Sequence, residues 1–179
     1  TEEKIVGFLD PSLGKGDWAA IATVGRAPTG VLYVLDLWLG RCAPTAQVER
    51  ACALHRRWGY RLFGYEAVGF QSMLGDAFAA CRSQWDAGGL GVRFDVRPVH
   101  SSKPKAERIG TLEPLIAGGW LRFAEGLPEE LFAEARAFPT GRHDDALDAL
   151  AGAVALARTL QNSSSVKSVA LRAARAPRR

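Results

Sequence analysis

The period of the hydrophobic pattern changes along the chain. From Ile5 to Leu9 every residue is apolar except the small Gly7, and the run closes on Asp10-Pro11. A continuous apolar run predicts a strand buried on both faces. Pro11 cannot continue a ladder, so Asp10 should sit at the carboxyl end of that strand. Trp18 to Val24 and Val31 to Leu39 predict two more strands, with Gly25 and Pro28-Thr29-Gly30 in the turn between them. Three strands with short connections predict an antiparallel meander. The pattern then turns helical. Val48, Cys52, His55 and Trp58 mark a helix from Thr45 to Trp58, ended by Gly59. Arg61 to Glu66 predicts a strand. Phe70 to Trp85 predicts a helix with Phe70, Met73, Leu74, Ala77, Phe78 and Cys81 on one face. Gly88, Gly89 and Gly91 break it, and Val92 to Val99 alternates as a strand. A helix over Lys105 to Ile116, a short extended piece at Trp120 to Phe123, a helix over Pro128 to Ala137 and an Ala/Leu-rich helix over Asp144 to Leu160 complete the chain.

That order predicts one α/β domain over residues 1–162. Its sheet should be mixed, an antiparallel meander plus parallel strands, with helices on both faces. With 179 residues, 47% hydrophobic and 23% charged, the chain can bury an ordinary core. No apolar run approaches the ~20 residues of a membrane helix, which argues against a membrane partner. The start, Thr-Glu-Glu-Lys, is no signal peptide, and a first residue other than Met reads as a piece of a longer protein. Cys42, Cys52 and Cys81 are an odd number without metal-ligand spacing and read as reduced intracellular thiols. The five tryptophans, 18, 38, 58, 85 and 120, read as core residues. Residues 163–179 contain Lys167, Arg172, Arg175, Arg178 and Arg179 and no acid, so all of the net charge of +4 belongs to this segment. Opened by Ser163-Ser164-Ser165, it reads as a basic flexible C-terminal tail.

The candidate chemistry is acidic. Asp10 ends the first strand, Glu66 ends the fourth, and Asp144, Asp145 and Asp148 open the last helix. A right-handed crossover after the third strand would lay the first and fourth strands side by side and bring Asp10 to Glu66. Asp145 and Asp148 share a helix face, as do Asp144 and Asp148. Helix dipoles favour acids in a first turn by only about 0.3–1 kcal/mol. Two carboxylates about 4 Å apart repel by ~4 kcal/mol at an effective dielectric near 20. A crowd of acids therefore calls for hard divalent cations such as Mg2+ or Mn2+, which take oxygen ligands. His143 either orients one of these groups or caps the helix at the surface. Lys15, Lys103, Lys105 and Arg108 read either as ordinary surface charge or, placed near the sheet edge, as nucleic-acid-binding residues that neutralise phosphates beside such a site.

Several stretches together are similar to the nuclease domain of phage terminase large subunits. They are the strand ending in Asp10-Pro-Ser-x-Gly-Lys-Gly-Asp17, Glu66 followed by Gly69-Phe70-Gln71, Lys103-Pro-Lys105-Ala-Glu-Arg108-Ile109, and His143-Asp-Asp-Ala-Leu-Asp148-Ala-Leu. The resemblance runs from about Ile5 to Leu160. It implies an RNase H-like fold related to the RuvC resolvases, and metal-dependent endonuclease activity on viral double-stranded DNA during packaging. Carried over, Asp10, Glu66 and Asp145 are the expected catalytic acids. Asp10, Glu66, Asp145 and Asp148 are the expected ligands of two metal ions, and Asp144 is an alternative to Asp145. Asp17 is expected to be structural. The chain has no Gly-x-x-x-x-Gly-Lys-[Ser/Thr] motif, so the packaging ATPase domain would be a partner outside it, with the small terminase subunit and portal beyond, in the host cytoplasm. A resolvase or transposase nuclease, or an inactive nucleotide- or partner-binding module of the same fold, are the alternatives.

Overall fold

A computed structural model describes residues 4–14, 18–67, 69, 71–87 and 95–174. Lys15, Asp17, Phe70, the Gly88–Gly91 break and residues 175–179 lie outside the described residues. The first strand, β1 (Lys4–Asp10), pairs antiparallel with β2 (Ala19–Arg26), which pairs antiparallel with β3 (Leu32–Gly40). Helix α1 (Pro44–Trp58) then crosses back, and β4 (Leu62–Glu66) enters parallel to β1. Pro44 stands in the first turn of α1, and Gly59, at φ 66°, closes it by donating its N–H to the His55 carbonyl. Helix α2 (Gln71–Ala87) leads to β5 (Asp95–Val99), parallel to β4. Short helices α3 (Lys105–Gly110) and α4 (Leu112–Ala117) precede β6 (Leu121–Phe123), which pairs parallel with β3. Helix α5 (Glu129–Ala137) and the long α6 (Asp145–Ala174) end the chain. The sheet order is β5-β4-β1-β2-β3-β6, mixed as expected.

Strand alternation divides the core. Val6, Phe8, Leu62 and Leu121 face α6 and the α3–α5 side. Leu9, Ile21, Phe63 and Tyr65 face α1 and α2, where they meet Val48, Leu74 and Phe78. Cys52 and Cys81, both reduced, touch across the α1–α2 interface with sulfurs 2.8 Å apart. Asp10 has the parity of Phe8, and Glu66 that of Gly64 and Leu62. Both acids therefore rise on the α6 face of the sheet.

Several local expectations change. The helix expected over Lys105 to Ile116 is two helices, broken at Thr111. Pro114 lacks the N–H that would bond the Gly110 carbonyl, and its ring crowds that carbonyl, so it is accommodated only in the first turn of a new helix. Ile109 and Leu112 remain buried, whereas Ile116 is exposed. Met73 also faces solvent, leaving Leu74, Phe78 and Cys81 as the buried side of α2. Of the described tryptophans none is fully buried. Trp18, Trp38 and Trp58 lie half-buried beneath Arg41, Arg50 and Arg57, and Trp120 is exposed. Helix α6 runs past Leu160 and through the serine run to Ala174. Serine is a middling helix former rather than a breaker, and the first Pro or Gly after Gly152 is Pro177.

Candidate metal centre

The last register step of the parallel β1–β4 pair is Leu9 opposite Tyr65, so Asp10 and Glu66 follow side by side at the carboxyl ends of adjacent central strands. Helix α6 lies across that edge very closely. A Cβ on Gly152 would come within 2.4 Å of the Phe8 ring, and one on Gly64 within 2.8 Å of the same ring. These two glycines let helix and sheet approach until Asp148, one turn before Gly152 on the same helix face, reaches the strand ends. One carboxylate oxygen from each of Asp10, Glu66 and Asp148 then lies within 4.8 Å of the others. Asp10 is 8% exposed and Asp148 4%.

Two cationic side chains, one turn apart on α3, answer these acids. Arg108 donates to both oxygens of Asp148, Nε at 3.1 Å and Nη2 at 2.5 Å, and through Nη1 to Glu66 at 2.8 Å. Lys105 Nζ lies 2.8 Å from Asp144, 3.5 Å from Asp148 and 3.9 Å from Asp145. The candidate acids thus form one continuous patch. Asp10, Glu66 and Asp148 converge on a point, while Asp145 and Asp144 lie beside Lys105. His143 Nδ1 is 4.0 Å from Asp145. Of the expected DNA-contacting cations, Lys105 and Arg108 are turned onto the acids, and Lys103 pairs with Glu107 at 2.7 Å.

The electrostatics remain frustrated despite those cations. Burial, reinforced by Asp148 and Glu66 and opposed by Lys105, raises the Asp10 carboxyl from 3.8 to about 8. Burial also raises Asp148, against its bonds from Arg108. Burial disfavours the charged forms of Lys105 and Arg108, yet the surrounding carboxylates win and raise both. Oxygen-only ligands, close convergence and a buried carboxylate held protonated are the features that suit a hard divalent cation.

Two positioning residues carry no signature that the sequence reading recognised. Gln47 is fully buried on α1. Its Nε2 donates to the Ser12 and Cys42 carbonyls at 2.7 and 2.8 Å, and its Oε1 accepts from the Ser12 N–H at 3.3 Å. It clamps the loop that leaves Asp10. The signal available was a polar residue beside Val48 on the apolar side of a helix. Glu134, buried on α5, accepts from the Leu147 N–H at 3.1 Å and so caps α6 from another element. Burial, opposed by that bond, raises its carboxyl to about 7. Its spacing of three from Leu131, also buried, was the available clue. Gln47→Leu should cost about 1–3 kcal/mol in urea denaturation, because it leaves buried backbone groups unpaired. Replacing an exposed polar residue on α1, such as Glu49→Leu, should cost under about 0.5 kcal/mol.

Comparison with known proteins follows the same geometry. The sequence matches the family model for the terminase RNaseH-like domain over residues 7–156. No curated protein sequence matches. Among solved structures, the chain is similar to the human cytomegalovirus terminase nuclease domain, soaked with manganese and inhibitor-bound. That match has a TM-score of 0.64 and 15% identity over 86% of this chain and 82% of that one. It is similar to the large terminase nuclease of thermophilic phage G20c with bound cobalt, with a TM-score of 0.60 and 19% identity over 86% and 81%. It is also similar to the nuclease domain of the large terminase subunit of bacterial virus Sf6, with a TM-score of 0.59 and 16% identity over 84% and 87%. At these identities the structural likeness speaks for the RNase H-like fold, and the sequence match speaks for the family. The chain belongs to the family of terminase RNase H-like domains.

Proposed function

We propose that this chain is the metal-dependent endonuclease domain of a viral DNA-packaging terminase large subunit, hydrolysing phosphodiester bonds of concatemeric double-stranded DNA. The observation that carries the reading is the convergence of Asp10, Glu66 and Asp148 at the carboxyl ends of β1 and β4 in a terminase-family fold. Related nuclease domains have been solved with manganese, cobalt or zinc, which supports a divalent cation here, Mg2+ or Mn2+ by ligand chemistry. Asp10, Glu66 and Asp148 would hold one ion. Asp145, with Asp144 beside it, would complete a second site next to Asp10. When bound, such a pair supplies an activated water and stabilises the leaving 3′ oxygen.

The chain's own residues then have defined tasks. Asp10 must give up a proton before it can act as a ligand. Glu66 and Asp148 are oriented by their hydrogen bonds from Arg108. Lys105 and Arg108, at the mouth of the site, can neutralise the phosphate that flanks the cut, with Lys103 further along the strand. The ATPase domain, the small terminase subunit and the portal would be its partners, in the host cytoplasm.

The test is nicking of supercoiled plasmid. Cutting with Mn2+ and none in EDTA supports the reading. Absence of metal-dependent cutting rejects it, and cutting confined to four-way junctions assigns the domain to the resolvases. Binding has its own readout. Mn2+ at about 100 times its Kd should stabilise the fold by about 2.7 kcal/mol. That is a melting shift of roughly 5–11 °C for a chain of this size. Because the ion competes with the proton on Asp10, Mn2+ affinity should rise with pH and level off above about 8. A pH-independent shift would mean that Asp10 is not a ligand.

A further inference from the structure

A cavity of about 360 Å³ opens directly from the acids along the outer turns of α6. Its volume lies within the range of sites that enclose a small ligand. Glu66, Arg108 and Asp148 form its inner end, so it is continuous with the candidate metal centre. Phe8, Val99 and Leu156 supply apolar wall. Arg158, Lys103 and His100 also line it, with Ser101 and Thr159. The only acids lining it are Glu66 and Asp148, both already held by Arg108. Arg158 is exposed, and no carboxylate among the described residues lies within ion-pair distance of it. Ten residues beyond Asp148, it stands about 15 Å further along the helix axis. The groove is thus acidic where a metal would act and basic at its far end, with apolar wall between.

That gradient matches a nucleic-acid strand. A scissile phosphate needs cations over the acids, the adjoining sugars and bases need apolar surface, and a phosphate further along needs a fixed positive charge. Resting on the nuclease reading, we propose that this groove is the track of the cut strand, with Arg158 binding a backbone phosphate further along the strand from the scissile one.

The experiment measures anisotropy of a fluorescein-labelled oligonucleotide bound to the full chain in EDTA, where no cutting occurs, over a salt titration. Arg158→Glu should weaken binding about tenfold and lower the salt slope by about one, equally for different base sequences. Arg158→Lys should recover most of the affinity. Arg122→Glu, an equal charge change on β6 at the opposite sheet edge, should have little effect. An unchanged melting shift with Mn2+ shows that Arg158→Glu is folded with its metal centre intact. Wild-type affinity and slope in Arg158→Glu, an equal loss in Arg122→Glu, or equal binding of an acidic peptide would each overturn the track. The two readings fail separately. Groove-dependent binding without Mn2+-dependent nicking sinks the nuclease and reduces the track to a nucleic-acid-binding groove. Nicking that is indifferent to Arg158 sinks the track alone.

Discussion

Asp10→Asn is expected to abolish metal-dependent nicking and, in EDTA, to make the protein more stable. The first effect follows from removing a proposed ligand at the point where Asp10, Glu66 and Asp148 meet. The loss should be at least about 10²-fold, the scale of deleting one well-placed electrostatic contact. The second follows from linkage. The Asp10 carboxyl is raised from 3.8 to about 8. Between those values the unfolded chain has released the proton and the folded chain still holds it. The metal-free fold therefore loses stability as pH rises from about 4 to about 8, then levels off. Asparagine has no proton to release, so the variant lacks this decline. At pH 8 it should gain on the order of 2 kcal/mol over wild type, roughly 4–8 °C in melting temperature. At pH 4 the two should melt alike. Melts in EDTA from pH 4 to 9, set beside nicking in Mn2+, check both halves. Parallel stability curves for the two proteins would mean that Asp10 is not held protonated. Retained cutting by the variant would falsify its assignment as a ligand.

Gly152→Val should be the most damaging small change away from the acids. The added Cβ would stand 2.4 to 2.7 Å from three atoms of the Phe8 ring. The ring cannot retreat, because its other edge lies against Gly64. Helix α6 must lift from the sheet, at the upper end of the ~1–3 kcal/mol typical of overpacking or beyond it. Asp148 rides one turn away on the same face, so the lift also draws it from Asp10 and Glu66. A displacement near 1 Å at a reacting centre can cost about 10²-fold in rate. Urea denaturation and nicking should therefore fall together. Phe8→Leu in the same background should restore part of both, and the double-mutant cycle measures that coupling. Gly110→Ala is the contrast. Nothing lies within 4 Å of its added Cβ, and removing a helical glycine should stabilise by about 0.5–1 kcal/mol. Equal damage from both substitutions would dismiss close packing as the cause.

Much of the acidic cluster can be read without coordinates, and the part that cannot has a physical reason. Asp10 and Glu66 are visible because an apolar run ending in a carboxylate is a local pattern. Their adjacency follows from the handedness of a single crossover. The mixed sheet is similarly visible, since each strand and helix announces its own period. The third acid is different. Asp145 and Asp148 are three residues apart on one helix face, and only the rotation of α6 about its axis separates them. That rotation is set by Gly152 and Gly64 closing on Phe8, a contact between segments far apart in the chain. Arg108 and Lys105 look like free surface charge until α3 is docked against α6. Gln47 and Glu134 look like ordinary polar positions on their helices until their partners arrive.

Periodicity and turn chemistry, which act between near neighbours, specify the strands, most of the helices and the acids at the strand ends. Packing between remote segments chooses which carboxylate joins Asp10 and Glu66, what neutralises them, and where the groove beside them leads. Those outcomes depend on distances of a few ångströms across helix–sheet contacts, to which a pattern along the chain carries no index.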